Sequence, residues 1–263
     1  MALNFILFRF PGVPGVKCAF QILDSLASGM SSGMTAGMLS GIAAETDDNW
    51  NISLDVAKNH TQVTENRQQL LETLNLPAFA ELKQVHGVKT IFEPEAQNIS
   101  LPATQEADGL AISRSGLGLL IKTADCQPLL LAHKSGRHVL ALHIGWKGNR
   151  QNFPQIAVRE FCLRYGLSPA DLLAVRGPSL GPAAAEFINF QAEWGTAFSP
   201  WLTKESNTIN LWQLTKDQLL EADLKPNNIF SLDLCTYSLP EAFFSYRRNN
   251  QCGRQASIIW IEK

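Results

Sequence analysis

Three stretches of this 263-residue chain that read as β-strands run into short segments carrying metal-competent side chains. The segments are Gln84-Val85-His86-Gly87, Thr123-Ala124-Asp125-Cys126-Gln127-Pro128 and His143-Ile144-Gly145-Trp146-Lys147-Gly148. A fold that uses them together must bring three strand ends, far apart in sequence, to one point. Two imidazoles and one thiolate suit a borderline-soft cation such as Zn²⁺, and three protein ligands leave a fourth position for water or substrate. A structural zinc site normally closes with four ligands, so His86, Cys126 and His143 point to chemistry.

Composition narrows the classes. An apolar content of 45% with 17% charged residues fits a globular protein with a sizeable core. A net charge of −2 provides no general field for nucleic acid or an anionic membrane, so any anion site must be local. Five cysteines, odd in number and without a CxxC pair, do not make a disulfide framework and suit a reducing cytoplasm. The apolar N-terminus is short and interrupted by Arg9, and reads as a first strand rather than a signal peptide. Leu26–Ala44 repeats glycine at Gly29, Gly33, Gly37 and Gly41, but Ser and Thr dilute it too far for a membrane span. A loop or weak helix is the expectation there.

The pattern predicts strands at Leu3–Arg9 and Val16–Ile22, and a helix over Glu65–Leu74. Phe79–Pro94 reads as a long strand or hairpin holding His86. Strands are expected at Leu117–Thr123, Pro128–Ala132 and Arg137–His143, the last two joined by the Lys134-Ser135-Gly136 turn. Asn149 is expected to cap a helix reaching Tyr165, with a strand at Ala170–Arg176 beyond it. Phe190–Phe198 and Leu211–Ala222 read as helices, and Asn228–Cys235, Phe243–Arg248 and Ser257–Ile261 as strands. No linker or repeat divides the chain, so one mixed α/β domain spanning residues 1–263 is expected, with helices packed outside sheet.

Each candidate ligand also has an ordinary reading. His133 and His138 flank a polar turn and read as solvent-facing, and His60 precedes a polar stretch. His86 and His143 differ because glycine lies close by, which lets backbone approach a bound group. Free cysteine is often an inert core filler. Beside Cys126, however, stands Asp125, which is costly to bury without a partner. A competing chemistry makes Cys126 a nucleophile with His143 as its base, as in a cysteine hydrolase.

QVHG, TADCxP and HxGWxG together resemble the signatures of the laccase-domain family, also called multicopper polyphenol oxidase or purine nucleoside phosphorylase. Its relatives include a bacterial peptidoglycan editing factor. The resemblance continues through Asp108-Gly109, Gly177-Pro178 with Glu186, Cys235-Thr236, Phe244-Ser245-Tyr246-Arg247-Arg248 and Gly253-Arg254. It implies a layered α/β sandwich, zinc on His86, Cys126 and His143, and phosphorolysis of adenosine, inosine and methylthioadenosine with adenosine deamination as a second reaction. Copper is the less suitable metal, because five histidines cannot build the several centres of a laccase.

That reading assigns roles. A bound zinc lowers the pKa of water to about 7, which suits hydrolytic deamination with Asp125 or Glu186 as the proton shuttle. Phosphorolysis needs a phosphate pocket, for which Lys147, Arg247, Arg248 and Arg254 are candidates. Trp146, Phe244 or Tyr246 are candidates to stack on a purine. The expected partners are a purine nucleoside and phosphate, with no nucleic acid and no membrane; oligomeric state is left open. The alternatives are a thiol hydrolase or amidase acting on a peptidoglycan precursor, and a non-catalytic relative that keeps the metal as a clip.

The chain departs from the family pattern in places. Ile144 and Lys147 replace the usual Ala and Arg of the third motif, and Lys lacks the planar fork of Arg. Cys18 stands where a histidine is usual, Leu23 near an expected arginine, and Asn210 where aspartate is common. The Gly/Met segment replaces a Gly-rich loop.

Overall fold

β6 (Gly118–Thr123), β7 (Gln127–His133) and β8 (Val139–Ile144) are buried along nearly their whole length, which explains their continuous apolar character. In the computed structural model, which describes residues 3–23 and 48–263, they belong to two sheets packed face to face. The Gly/Met stretch lies outside the described residues.

The first sheet has the order β1-β2-β13-β6-β3, with β1 at Asn4–Phe8, β2 at Val16–Ile22, β3 at Phe79–Ala80 and β13 at Gln255–Ile261. The second has the order β12-β9-β7-β8-β5-β4, with β4 at Thr90–Phe92, β5 at Gly109–Ile112, β9 at Leu172–Arg176 and β12 at Ile229–Ser231. A small hairpin, β10 (Leu202–Thr203) with β11 (Thr208–Ile209), stands apart.

Alternation sorts the side chains. Leu119 and Ile121 of β6 meet Leu130, Val139 and Ala141 of the second sheet in the central core. Leu129, Leu131, Leu140 and Leu142 face the other way, against helices α3 (Phe153–Tyr165) and α5 (Leu211–Glu221). Leu120 and Ile258 point out of the first sheet to Leu70 and Leu71 of α1 (His60–Leu74). The result is the expected mixed sandwich: helix, sheet, sheet, helices. No helix among the described residues is long and apolar enough to cross a membrane.

Several elements differ from expectation for identifiable reasons. α1 starts five residues early, with the Asn59 side chain accepting from the Thr61 and Gln62 N–H groups. Its first turns escaped the apolar pattern because Val63 is their only buried residue and the next buried positions are polar, Asn66 and Arg67, which donate to carbonyls of residues 48, 51 and 52. The helix expected from Asn149 is two helices, α2 (Trp146–Arg150) and α3. Pro154 cannot donate to the carbonyl four residues back, so the chain breaks and restarts at Asn152 with φ of 59°. Asn149 instead ties α2 to α5 through Thr215 and Gln218.

Phe79–Pro94 is not one strand: β3 and β4 belong to different sheets, and His86 lies in the loop between them. The strand expected at Pro128–Ala132 is one residue longer at each end, so Pro128 is the second residue of β7. The helix at Phe190–Phe198 shortens to α4 (Phe190–Glu193) followed by a 3-10 turn over Thr196–Trp201. Strand β12 stops at Ser231 rather than running to Cys235. Phe243–Arg248 is no strand but a turn-rich loop.

Candidate metal centre

β7 and β8 are antiparallel neighbours, so Cys126, just before β7, and His143, near the end of β8, arrive at the same edge. His86 comes from the β3–β4 loop with φ of 60°, a left-handed conformation uncommon for a side-chain-bearing residue. The candidate donor atoms of the three residues lie within 4.8 Å of one another. Cys126 Sγ is 3.7 Å from His86 Nε2, and the two imidazoles meet edge to face with centroids 4.8 Å apart. Ligands sharing one zinc at ~2.0–2.3 Å stand roughly 3.5 Å apart, so the cluster is close to a metal-binding geometry. His86 is exposed, Cys126 half-buried and His143 buried, which leaves one side open.

The sequence did not assign a role to Asp108, although its Asp-Gly dipeptide was part of the resemblance. Its Oδ1 lies 2.8 Å from His143 Nδ1 and leaves Nε2 to face the cluster. The same carboxylate accepts from the backbone N–H groups of Val85, His86 and Gly87, at 3.3, 3.0 and 2.7 Å. One anion therefore orients the His143 imidazole, a carboxylate–histidine arrangement typical of metal ligands, and holds the backbone of the His86 loop. The available signal was the need for a partner behind a buried ligating imidazole.

Space is equally specified. A Cβ on Gly145 would stand 2.5 Å from His86 Cδ2 and 3.4 Å from Cys126 Sγ, so only glycine lets the ring in. Gly87 has no such role: a Cβ there meets nothing nearer than 3.5 Å.

Burial opposes charge on Cys126, but the His143 cation and hydrogen bonds from His143 and His86 bring the thiol down to about 6. Burial likewise opposes the His143 cation, yet the Cys126 thiolate and Asp108 push it up to about 9. Asp108 is disfavoured by burial, but the hydrogen bond and charge of His143 and the backbone donors hold it low.

The cluster lies in the wall of a cleft of about 1270 Å³. Asp125, with φ of 86°, accepts from Thr236 Oγ1 at 2.6 Å and from the Arg247 N–H at 2.7 Å, which supplies the partners its burial requires. Glu186 is exposed and lines the cleft. Trp146 lines it too, packed against Phe187 and Trp194. Arg247 lends one nitrogen to the Glu186 carbonyl, and Arg254 lies 5.8 Å from the Tyr246 ring centroid.

Three expected contacts are not brought to the ligand space. Arg248 touches the cleft, but its guanidinium donates to the carbonyls of Thr236, Tyr237 and Phe243 and holds the 243–248 loop in its turn. Lys147 is outside the lining; α2 turns it outward, 5.7 Å from the centroid of Trp146. Phe244 is fully buried in core and cannot stack on a ligand. His133 and His138 are half-buried against each other rather than solvent-facing. None of the five cysteines forms a disulfide.

Residues 34–262 match the family described as multi-copper polyphenol oxidoreductase laccase. A purine nucleoside phosphorylase of Haemophilus influenzae is 33% identical over 224 residues, 81% of this chain and 87% of the relative. The Escherichia coli purine nucleoside phosphorylase YfiH is 33% identical over 226 residues, with the same shares covered. In three dimensions, YlmD of Geobacillus stearothermophilus superposes with a TM-score of 0.79 at 24% identity, covering 96% of this chain and 94% of that one. The signatures, the fold and a match spanning most of the sequence agree: the chain belongs to the multi-copper polyphenol oxidoreductase laccase family.

Proposed function

We propose that the protein is a zinc-dependent purine nucleoside phosphorylase that accepts adenosine, inosine and methylthioadenosine and also deaminates adenosine. The observation that carries this reading is the convergence of His86, Cys126 and His143 in the wall of a cleft that also exposes Arg247 and Arg254. Relatives bearing the phosphorylase name match most of the chain. Zinc fits the two nitrogens and one sulfur better than a set of coppers. All five histidines lie among the described residues, and only one group of three potential ligands forms there.

A bound zinc supplies Lewis acidity at the open side of the cluster. The remaining work falls to protein groups. Asp108 keeps His143 and the His86 loop oriented. Arg247 and Arg254, each with guanidinium nitrogens that make no hydrogen bond among the described residues, hold phosphate; Arg248 serves the loop. Glu186, exposed in the cleft, is the carboxylate suited to carry a proton. Asp125, with both oxygens engaged, fixes the Cys126 turn and the Arg247 backbone. Trp146 and Tyr246 offer faces to a purine.

Elemental analysis of purified protein, with adenosine turnover assayed with and without phosphate, tests this. One zinc per chain, phosphate-dependent adenine release and inosine formation are expected. Full zinc loading with neither product overturns it. The charged Cys126–His143 pair favours a second reading, a thiol hydrolase. That reading requires hydrolysis of an amide substrate by metal-free protein and its loss on alkylation.

A further inference from the structure

We propose that Asp55 and Lys122 form a hydroxyl-recognition pair in the cleft wall, which takes the vicinal hydroxyls of a furanose ring. The assignment of that sugar to a nucleoside rests on the phosphorylase reading above.

Lys122 projects from β6 and is only 4% exposed in its side chain. Its ammonium donates to Asp55 Oδ2 at 2.7 Å and lies 2.9 Å from Glu81 Oε2. Glu81 is enclosed and paired with the equally enclosed guanidinium of Arg67 at 2.9 Å. Four charges thus alternate from core to cleft and sum to zero. Burying such a network is costly, and well-packed apolar groups stabilise a fold equally well. Its outer end suggests a use: the Asp55 side chain is 37% exposed, and both Asp55 and Lys122 line the cleft.

Chemistry selects the ligand. Asp55 Oδ2 accepts from Lys122 and from Ser53 Oγ at 3.3 Å, while Oδ1 has no hydrogen-bond partner among the described residues. An ammonium has three donors, and two carboxylates engage two of Lys122's. A free acceptor therefore stands beside a remaining donor. Phosphate is repelled by Asp55 and a cationic ligand by Lys122. A neutral diol meets both, one hydroxyl donating to Asp55 and its neighbour accepting from Lys122. Placement agrees. The Gln84 amide clamps the Lys122 backbone in both directions at 2.8 Å, two residues from His86, and Cys126 follows Lys122 by four residues. The pair is thus fixed to two of the candidate metal ligands.

Kinetics of zinc-loaded full-length protein with adenosine, 2′-deoxyadenosine and 3′-deoxyadenosine test the pair, alongside calorimetric binding of each. Wild type should favour adenosine over at least one deoxy analogue by roughly 10- to 100-fold, mainly through KM and Kd, as for a lost charge-assisted hydrogen bond. Asp55→Asn and Asp55→Ala should bring that ratio within about threefold of unity while zinc stays at one per chain. If Asp55→Ala fails to fold, the isosteric Asp55→Asn carries the test. A purely structural Asp55 lowers Tm and leaves the ratio unchanged, which overturns the pair but leaves the phosphorylase reading standing. Wild type without discrimination overturns the pair as well. Wild type that neither turns over nor binds any of the three overturns both.

Discussion

Two imidazole pairs sit at opposite ends of the β7–β8 hairpin, and His143 of the first shifts in the opposite direction to both rings of the second. At one end His86 and His143 meet edge to face with centroids 4.8 Å apart; at the other, His133 and His138 meet in the same way at 6.0 Å. His143 is raised to about 9, because the Cys126 thiolate and Asp108 outweigh its burial. His133 and His138 are both lowered, chiefly by burial, with Arg137 and their neighbours adding positive charge. At the far end neither ring hydrogen-bonds to a thiol or a carboxylate among the described residues; Asp171, paired with Lys134, and Glu93 act on His133 and His138 only through space, and burial outweighs them. Glu93 accepts from the Tyr165 hydroxyl at 2.6 Å instead. Paired histidines alone therefore do not make a reactive site. The surrounding anions decide whether a ring is kept charged, kept neutral or given to a cation.

The contrast can be broken hardest by removing an anion from the active end. Cys126→Ala deletes a ligand, and zinc content should fall from about one per chain toward none, read by elemental analysis after dialysis. Asp108→Asn keeps all three ligands but removes the charge behind His143. It should cost about 10- to 100-fold in metal affinity, measured by competition with a chromogenic chelator. Unchanged affinity in Asp108→Asn means that the carboxylate organises nothing and the two ends differ by the thiol alone.

Packing gives the next largest effect. Gly145→Ala places a methyl 2.5 Å from His86 Cδ2, at the N-terminus of α2. Strain of roughly 1–3 kcal/mol, or displacement of His86, should follow. The expected result is weaker metal binding with a smaller change in Tm, because the Gly145 backbone angles suit alanine. This position also shows what the sequence made legible. The three ligands could be named because each lies in a short motif beside a stretch that reads as a strand, although His86 proves to sit in a loop, and the sandwich because its strands are continuously apolar. The reason for Gly145 was readable only in part: closeness to glycine was visible, but that the approaching group is His86 itself depends on which loop crosses the strand end. Asp108 was hidden for the same reason. Its partners lie 21 to 35 residues away, and no local pattern encodes which carboxylate a ring will meet. The start of α1 was missed because Val63 is its lone buried apolar residue and the next buried positions, Asn66 and Arg67, are polar, so apolar periodicity carries little signal.

The charge pair itself should be visible in metal-free protein. Cys126 is held at about 6, so its thiolate persists well below the range of an ordinary cysteine. Alkylation by iodoacetamide, followed by mass spectrometry of the Cys126 peptide, should show a midpoint near pH 6, whereas buried Cys18 stays unreactive. The linkage has a defined sign. A lowered thiol stabilises the fold above its unfolded pKa of about 8.5, and that part is lost as pH falls through about 6. A raised His143 stabilises below about 6.5 and loses that part as pH rises through about 9. The Cys126–His143 contribution should therefore be largest between those limits and be absent in Cys126→Ala. A midpoint near 8.5 would falsify the pairing.

The smallest effect belongs to the far end of the hairpin and tests the comparison from the other side. His138 stacks on Tyr165 with centroids 4.8 Å apart, and its Nδ1 is buried with no hydrogen-bond partner among the described residues. Lowered imidazoles stabilise the fold above about pH 6.5, and that stability is lost as pH falls through their folded values. Wild type should accordingly lose Tm on acidification below 6.5. His138→Phe keeps the ring contact and removes both the unpaired nitrogen and a proton site. It should change Tm at pH 7 by no more than a few degrees, leave zinc content unaltered and flatten the acid slope. An unchanged slope places the acid sensitivity elsewhere in the molecule. A loss of zinc in this variant would be more damaging, because it would couple the two ends of a hairpin that the structure keeps chemically separate.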